Sequence, residues 1–349
     1  MNKTMNTKVL QPCTETYQIA SRLFASGQLV AFPTETVYGL GANALDRQAV
    51  LSIFSAKGRP ADNPLIVHIH HRDQLTELCT VPERALPLMD AFWPGPLTIL
   101  CAKKESVPDE VTAGLPTVAV RMPSHPVAHK LLQECNLPIA APSANSSGRP
   151  SPTTAAHVME DMNNKIPLII DGGPCEVGLE STVLDLCHGD PVILRPGGVT
   201  QEMISHVLGS PVLIAGSVLR PLRENETALS PGMRYKHYAP KASVTLVDGT
   251  EEKVVQLLHT LCLQQQNLGK KSCVLCFSEH VSRLSDCHPH DIGSCHHPSE
   301  IAHRLFDTLR SLDEEGMEVV FSEVIPPEGM GLAVMNRLGR AASFHIIHA

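Results

Sequence analysis

The stretch LVAFPTETVYGLGANA at 29–44 decides the fold. LVAF is an uninterrupted apolar run of strand length, and it delivers the chain into the polar loop PTETVYG. The same arrangement recurs at KGRPADNPLIVH (57–68), TVAVRMP (117–123) and APSANSSGRPSP (141–152), where each polar cluster borders a short apolar run. Hydroxyls, amides and cations are thereby gathered at strand ends, where they can line one cleft. No nucleophile paired with a base stands out among them.

The strand candidates continue as LIVHI (65–69), LTILCAK (97–103), VAVRM (118–122), PIAAP (138–142), LIID (168–171), STVLDL (181–186) and VILR (192–195). Helices alternate with some of them. Thr14 can cap one that stops at Gly27, and Asp46 can cap another that runs to Lys57 and ends at Gly58. Lys57 and Arg59 then flank a helix C-terminus. Further helical stretches lie near 125–135 and 153–160, and the last strands follow one another closely, which predicts a mixed parallel and antiparallel sheet. This first domain spans 14–208. Residues 209–240 are rich in Gly, Pro and Ser and read as a linker, after which 241–349 alternates strand and helix as a smaller Rossmann-like α/β domain.

Two domains suit the length of 349 residues, and 43% hydrophobic with 18% charged residues permits packed cores. No run of about 18 apolar residues predicts a membrane span, and the first thirty residues lack a signal-peptide core. Eleven cysteines without a regular framework read as reduced thiols, so a cytoplasmic protein is expected. Net charge is −8, divided as 15 Lys+Arg against 20 Asp+Glu in 1–202 and 13 against 16 in 203–349. Neither part has the basic excess of an RNA-coating module, and aromatics for base stacking are only 4%.

GLGANA (39–44) matches the dinucleotide fingerprint formally, but Pro33 to Tyr38 separate it from its strand, which argues against nicotinamide binding. The paired cations of KGRPADNP can clamp a triphosphate or merely complement a helix dipole. Ser143, Asn145 and Ser151 can bind phosphate or ribose, or simply cap the helix that follows. Arg121, a cation inside an apolar strand, needs an anionic ligand or an acidic partner. His68 reads as either structural or carboxylate-binding. In the C-terminal part, Cys273 and Cys276 form C-x-x-C while Cys287, Cys295, His296 and His297 cluster. A strand would turn the first two to opposite faces, so thiols and surface histidines are favoured over zinc.

Lys57 and Arg59 as K-x-R, with Ser143 and Asn145 as S-x-N, resemble the YrdC-like domain of threonylcarbamoyl-AMP synthases. SPGMRYKHYAPKA (230–242) resembles the linker of that family's long, two-domain form. The resemblance implies formation of threonylcarbamoyl-AMP and pyrophosphate from L-threonine, bicarbonate and ATP. It implies Thr36, His68, Arg121, Ala141 and Ser181 around threonine, and Arg59, Asn63, Thr117, Ser143, Ser151, Arg195, Tyr235 and His237 around ATP. Lys57, Arg59, Ser143 and Asn145 form its catalytic motifs, with the linker covering the site. Mg2+ is expected on the ATP phosphates, without a protein metal cage. The product would pass to a separate tRNA threonylcarbamoyl transferase; direct contact with tRNA is left open.

Overall fold

The computed structural model describes residues 6–222, 229–230 and 238–349. The described residues divide into two compact units, one comprising 6–147, 151–215, 222 and 229–230, the other 148–150, 216–221 and 238–349.

The strands of the first unit are β1 (Lys8–Leu10), β2 (Val30–Phe32), β3 (Gly39–Asn43), β4 (Ile66–His68), β5 (Cys79–Thr80), β6 (Leu97–Lys103), β7 (Thr117–Arg121), β8 (Ile139–Ala140), β9 (Leu168–Ile170), β10 (Thr182–Asp185), β11 (Val192–Arg195) and β12 (Leu213–Ile214). They form one sheet in the order β1-β9-β2-β3-β8-β4-β7-β6-β10-β11-β12, with β5 beside β6. The pairing is mixed: β4 runs parallel to β7 and antiparallel to β8, while β6 is antiparallel to β7 and parallel to β10. β12 prolongs the sheet edge beside β11, so residues 213–214, inside the stretch read as linker, belong to the sheet. A two-residue strand gives no alternation for a sequence pattern to display.

Local chemistry explains the helix ends that matter. The Asp46 carboxylate accepts from the backbone N–H of Gln48 and Ala49 and so starts the helix Arg47–Lys57. Gly58 stops it with φ 64°, a left-handed conformation that glycine adopts without steric cost. Thr14 differs from its expected role. It is the first residue of helix Thr14–Ala25 and Cys13 occupies the cap position without a side-chain bond, because the Cys13 thiol is instead 3.2 Å from the Thr16 hydroxyl.

Strand alternation gives the central sheet two different faces. Val67, Val118, Val120, Ile99 and Cys101 belong to the large core, packed with residues such as Ile53, Phe54 and Leu88 from helices. The residues between them, Ile66, Ala119, Leu100 and Val183, form a small separate apolar cluster with Leu194. In register with that second face stand His68, Arg121 and Thr98, at strand positions where apolar residues would be the ordinary choice. The GLGANA stretch is β3 itself, buried. A Cβ on Gly41 would stand only 2.8 Å from the Phe32 ring and 2.9 Å from Ile139, so this glycine serves close packing and not phosphate.

The second unit carries a fully parallel sheet of β13 (Ser243–Asp248), β14 (Ser272–Cys276), β15 (Pro289–Asp291), β16 (Val319–Glu323) and β17 (Ile346–His348), in the order β15-β14-β16-β13-β17. Helices Glu251–Asn267, Pro298–Glu314 and Met330–Ala341 connect its strands. This is α/β winding, with β16 inserted between β14 and β13 in place of the 3-2-1-4-5 order.

Candidate active site

Two polar groups occupy opposite ends of the same strands. Pairing of His68 with Arg121 and of Arg121 with Thr98 lines these three up at the C-terminal ends of β4 and β7. The Arg121 guanidinium is almost fully buried and committed in three directions. It pairs with the Glu35 carboxylate at 2.7 Å, donates to the Thr36 hydroxyl at 2.9 Å, and donates through Nε to the Gly95 carbonyl at 3.2 Å. The Thr36 hydroxyl also lies 2.8 Å from that of Thr34, so the PTET loop is folded around the arginine. On the other side, the Thr98 hydroxyl is 2.8 Å from the Ser181 hydroxyl, which accepts from Arg195 at 3.2 Å. Arg195 also holds the Ser181 carbonyl through Nε at 3.1 Å. Ser151 joins this side by donating to the Glu180 carboxylate.

Glu35 is the residue that sequence reading missed. Burial acts against its charge, but the Arg121 guanidinium and the backbone N–H groups of Glu35 and Ser124 together hold its carboxyl below the ordinary range. The signal was present as a buried-strand arginine needing a counter-charge, without anything to say which acid supplied it. Thr98 was missed for a similar reason, since a threonine in LTILCAK reads as an ordinary strand residue.

His68 is buried beside this pair. Desolvation, then the positive charge of Arg121, push its pKa down to about 3, so the imidazole is neutral throughout the physiological range. Its Nδ1 is buried without a hydrogen bond of ordinary geometry among the described residues, while the backbone of Ile66 and Ile139 lies near enough to favour a ring proton weakly. The unfolded chain takes up a proton near pH 6.5 that the folded chain refuses. Stability from this group is therefore complete above about pH 6.5 and falls by up to ~1.4 kcal/mol per pH unit as the pH drops toward 3. Urea melts of the protein and of His68→Gln between pH 4 and 8 should show a steeper acid loss in the former; parallel curves would deny a buried neutral histidine.

The second group lies at the N-terminal ends of β4 and β7. Ala141 donates to the Ile66 carbonyl, and the antiparallel run continues so that Ser143 bridges Gly39. Asn63 and Ser143 therefore approach the same end of the sheet, where Thr117 opens β7. Thr117 is four residues from Arg121 on one strand, which is about 13 Å at ~3.3 Å per residue. Thr117 and Ala119 share a face with Arg121, so one strand carries members of both groups on the same side.

Lys57 is buried and turned into the S-x-N loop. Its ammonium donates to the carbonyls of Ser143 at 2.5 Å and Asn145 at 2.6 Å. Ser143 donates to the Asn145 carboxamide oxygen at 2.5 Å, and Asn145 donates onward to the Ser146 carbonyl at 2.9 Å. Placed at a helix end, Lys57 thus shapes the loop that carries Ser143 and Asn145. Arg59 lies over the Phe54 ring at 5.4 Å and donates to the Asn63 carbonyl at 2.7 Å, closing the RPADN turn. The Asn63 carboxamide is fully buried and makes no hydrogen bond among the described residues, which leaves a donor and an acceptor for a ligand. Tyr235 and His237 lie outside the described residues.

One end of this face thus offers a buried guanidinium with hydroxyls and a neutral imidazole, suited to a small amino acid. The other offers amide, hydroxyl and cationic groups suited to a polar, phosphate-bearing ligand. An α/β domain with this mixed sheet is of the YrdC-like kind. A family model described as Telomere recombination, covering Sua5, YciO and YrdC proteins, matches residues 22–197, and one described as Threonylcarbamoyl-AMP synthase, C-terminal domain, matches 199–343. The chain is 48% identical over 339 residues to the threonylcarbamoyl-AMP synthase of Pyrococcus abyssi, covering 95% of each, and 46% identical over 330 residues to that of Bacillus subtilis, covering 94% of this chain and 93% of the other. The crystal structure of P. abyssi Sua5 complexed with L-threonine superposes with a TM-score of 0.91 at 47% identity, over 98% of this chain and 99% of that one. The protein belongs to the threonylcarbamoyl-AMP synthase family, in its two-domain form.

Proposed function

We infer that the protein is an L-threonylcarbamoyladenylate synthase, joining L-threonine, bicarbonate and ATP into threonylcarbamoyl-AMP with release of pyrophosphate. The observation that carries this reading is the buried Arg121, held by Glu35 and Thr36 in register with His68 and Thr98, on the face whose far end bears Asn63, Ser143 and Asn145. Arg121 takes the threonine carboxylate, while the hydroxyls of Thr36 and Ser181 and the Nδ1 atom of neutral His68 meet its hydroxyl and amine. The amine condenses with bicarbonate, releasing water, to a carbamate, whose oxygen attacks the α-phosphate of ATP as pyrophosphate departs. Arg59, Asn63, Thr117 and Ser143, with Tyr235 and His237, are assigned to ATP; Ser151 and Arg195, also assigned to it, approach from the Ser181 side, and Ala141, between the two ends, borders threonine. Rate is supplied by positioning and by fixed donors at the developing charge.

Glu35 and Glu180 are bound to Arg121 and Ser151, while the phosphate-facing end carries the Asn63 amide and the Ser143 hydroxyl. That set fits Mg2+ arriving with the triphosphate, which supplies most of its ligands, with Ser143 and Asn63 offering oxygens. When bound, it neutralises the leaving pyrophosphate. The product is destined for a separate transferase acting on tRNA. All eleven cysteines are free thiols, which supports a reducing, cytoplasmic setting; among the described residues no helix is long and apolar enough to cross a membrane. Pyrophosphate release by the pure protein with ATP, Mg2+ and bicarbonate should require L-threonine and fall when bicarbonate is removed. Release indifferent to threonine would overturn the assignment.

A further inference from the structure

The cysteine and histidine cluster of the C-terminal unit is resolved by the fold into a different set from the one its sequence suggests. Cys273 and Cys276 are both buried within β14, and Cys287 is buried against the helix Glu251–Asn267, its thiol directed to the His259 carbonyl. None of these converges with the histidines. Cys295 and His296 instead meet Glu279, and one ligand atom from each of the three lies within 4.8 Å of the others.

We propose that Glu279, Cys295 and His296 form a binding site for a borderline divalent cation of the Zn2+ class, distinct from the two-substrate face. Thiolate, imidazole and carboxylate are the ligand types zinc selects, and three protein ligands leave the fourth tetrahedral position to water. Zinc bond lengths put neighbouring ligand atoms roughly 3.3–3.8 Å apart, so a shift of about 1 Å by side-chain rotation closes the triad. The backbone is already arranged for it. Glu279 opens the 3-10 segment Ser278–Cys287 and accepts from the Ser294 hydroxyl and, at 3.4 Å, from the Cys295 backbone N–H. The His296 N–H is fixed in turn on the Ser294 hydroxyl at 3.2 Å. The turn before the helix Pro298–Glu314 is thus tied to the carboxylate that would share the ion.

The nearby carboxylates of Glu323 and Glu251 are already engaged by His280, at 2.7 and 3.2 Å, which leaves Glu279 as the acid of the triad. A dication held by one carboxylate and one thiolate is neutral, with the thiol proton released to solvent. The ion would act as a clip between the Ser278 end of the 3-10 segment and the Ser294–His297 turn.

The test uses full-length protein stripped with a chelator and dialysed. Co2+ should give a thiolate-to-cobalt charge-transfer band with tetrahedral visible bands, and Zn2+ should abolish them. Cys295→Ser should remove the charge-transfer band, while His296→Asn and Glu279→Gln, which keep the thiol, should weaken Zn2+ at least about 10-fold in competition with a chromophoric chelator. Circular dichroism checks that each variant is folded. Absence of a thiolate band in folded wild-type protein, or equal Zn2+ affinity in wild type and Cys295→Ser, as binding at the exposed Cys13 would give, overturns the proposal.

Discussion

Replacing Arg121 by alanine is expected to weaken L-threonine binding at least about 100-fold, near 3 kcal/mol, because the change removes a desolvated charge-assisted partner of the carboxylate. The same substitution strands Glu35, whose carboxyl stays charged only through Arg121 and backbone N–H groups. Breaking a buried ion pair on one side costs about 3–5 kcal/mol, so Arg121→Ala should also lower thermal stability markedly. The two effects can be separated. Adding Glu35→Gln to Arg121→Ala should restore much of the stability, since the uncompensated charge is gone, without restoring threonine binding. Calorimetric titration and thermal melts of both variants check this. Threonine affinity that recovers together with stability would mean that Arg121 serves the fold alone.

Lys57 should give the second large effect, by a different route. Its ammonium satisfies the carbonyls of Ser143 and Asn145, and its removal leaves both without that donor. Lys57→Met should cut pyrophosphate release by about 100-fold or more, because a small misplacement of reacting groups is costly in rate. Threonine affinity should change little, since Arg121 lies at the other strand end. Lys57→Arg should not rescue turnover: a planar fork cannot replace a compact ammonium between two converging carbonyls. Arg59→Ala should resemble Lys57→Met in rate. Wild-type turnover in Lys57→Met would remove the S-x-N loop from catalysis.

How far the residues themselves lead can be followed at particular positions. The α/β class was legible because LVAF, LIVHI and LTILCAK are short apolar runs that only a sheet buries, and Asp46 and Gly58 marked a helix through side-chain capping and a positive φ that act within a few residues. Arg121 announced a partner for the same local reason, a charge in an apolar strand. The partner's identity was not local. Glu35 is far away in sequence, and only the folding of the PTET loop over β7 puts its carboxylate 2.7 Å from the guanidinium. Lys57 was legible as a cation at a helix end, and which way its side chain turned depended on the loop 143–145 lying along β3. In the C-terminal unit, the sequence grouped Cys287 with Cys295 and His296 by proximity along the chain, whereas the fold buried the first and brought Glu279 to the other two. Sequence alone settled what is decided by neighbours along the backbone: strand runs, caps and the presence of charges that burial would make costly. Tertiary structure decided which groups meet, because register across strands and the path of loops between them fix contacts that no spacing in the chain encodes.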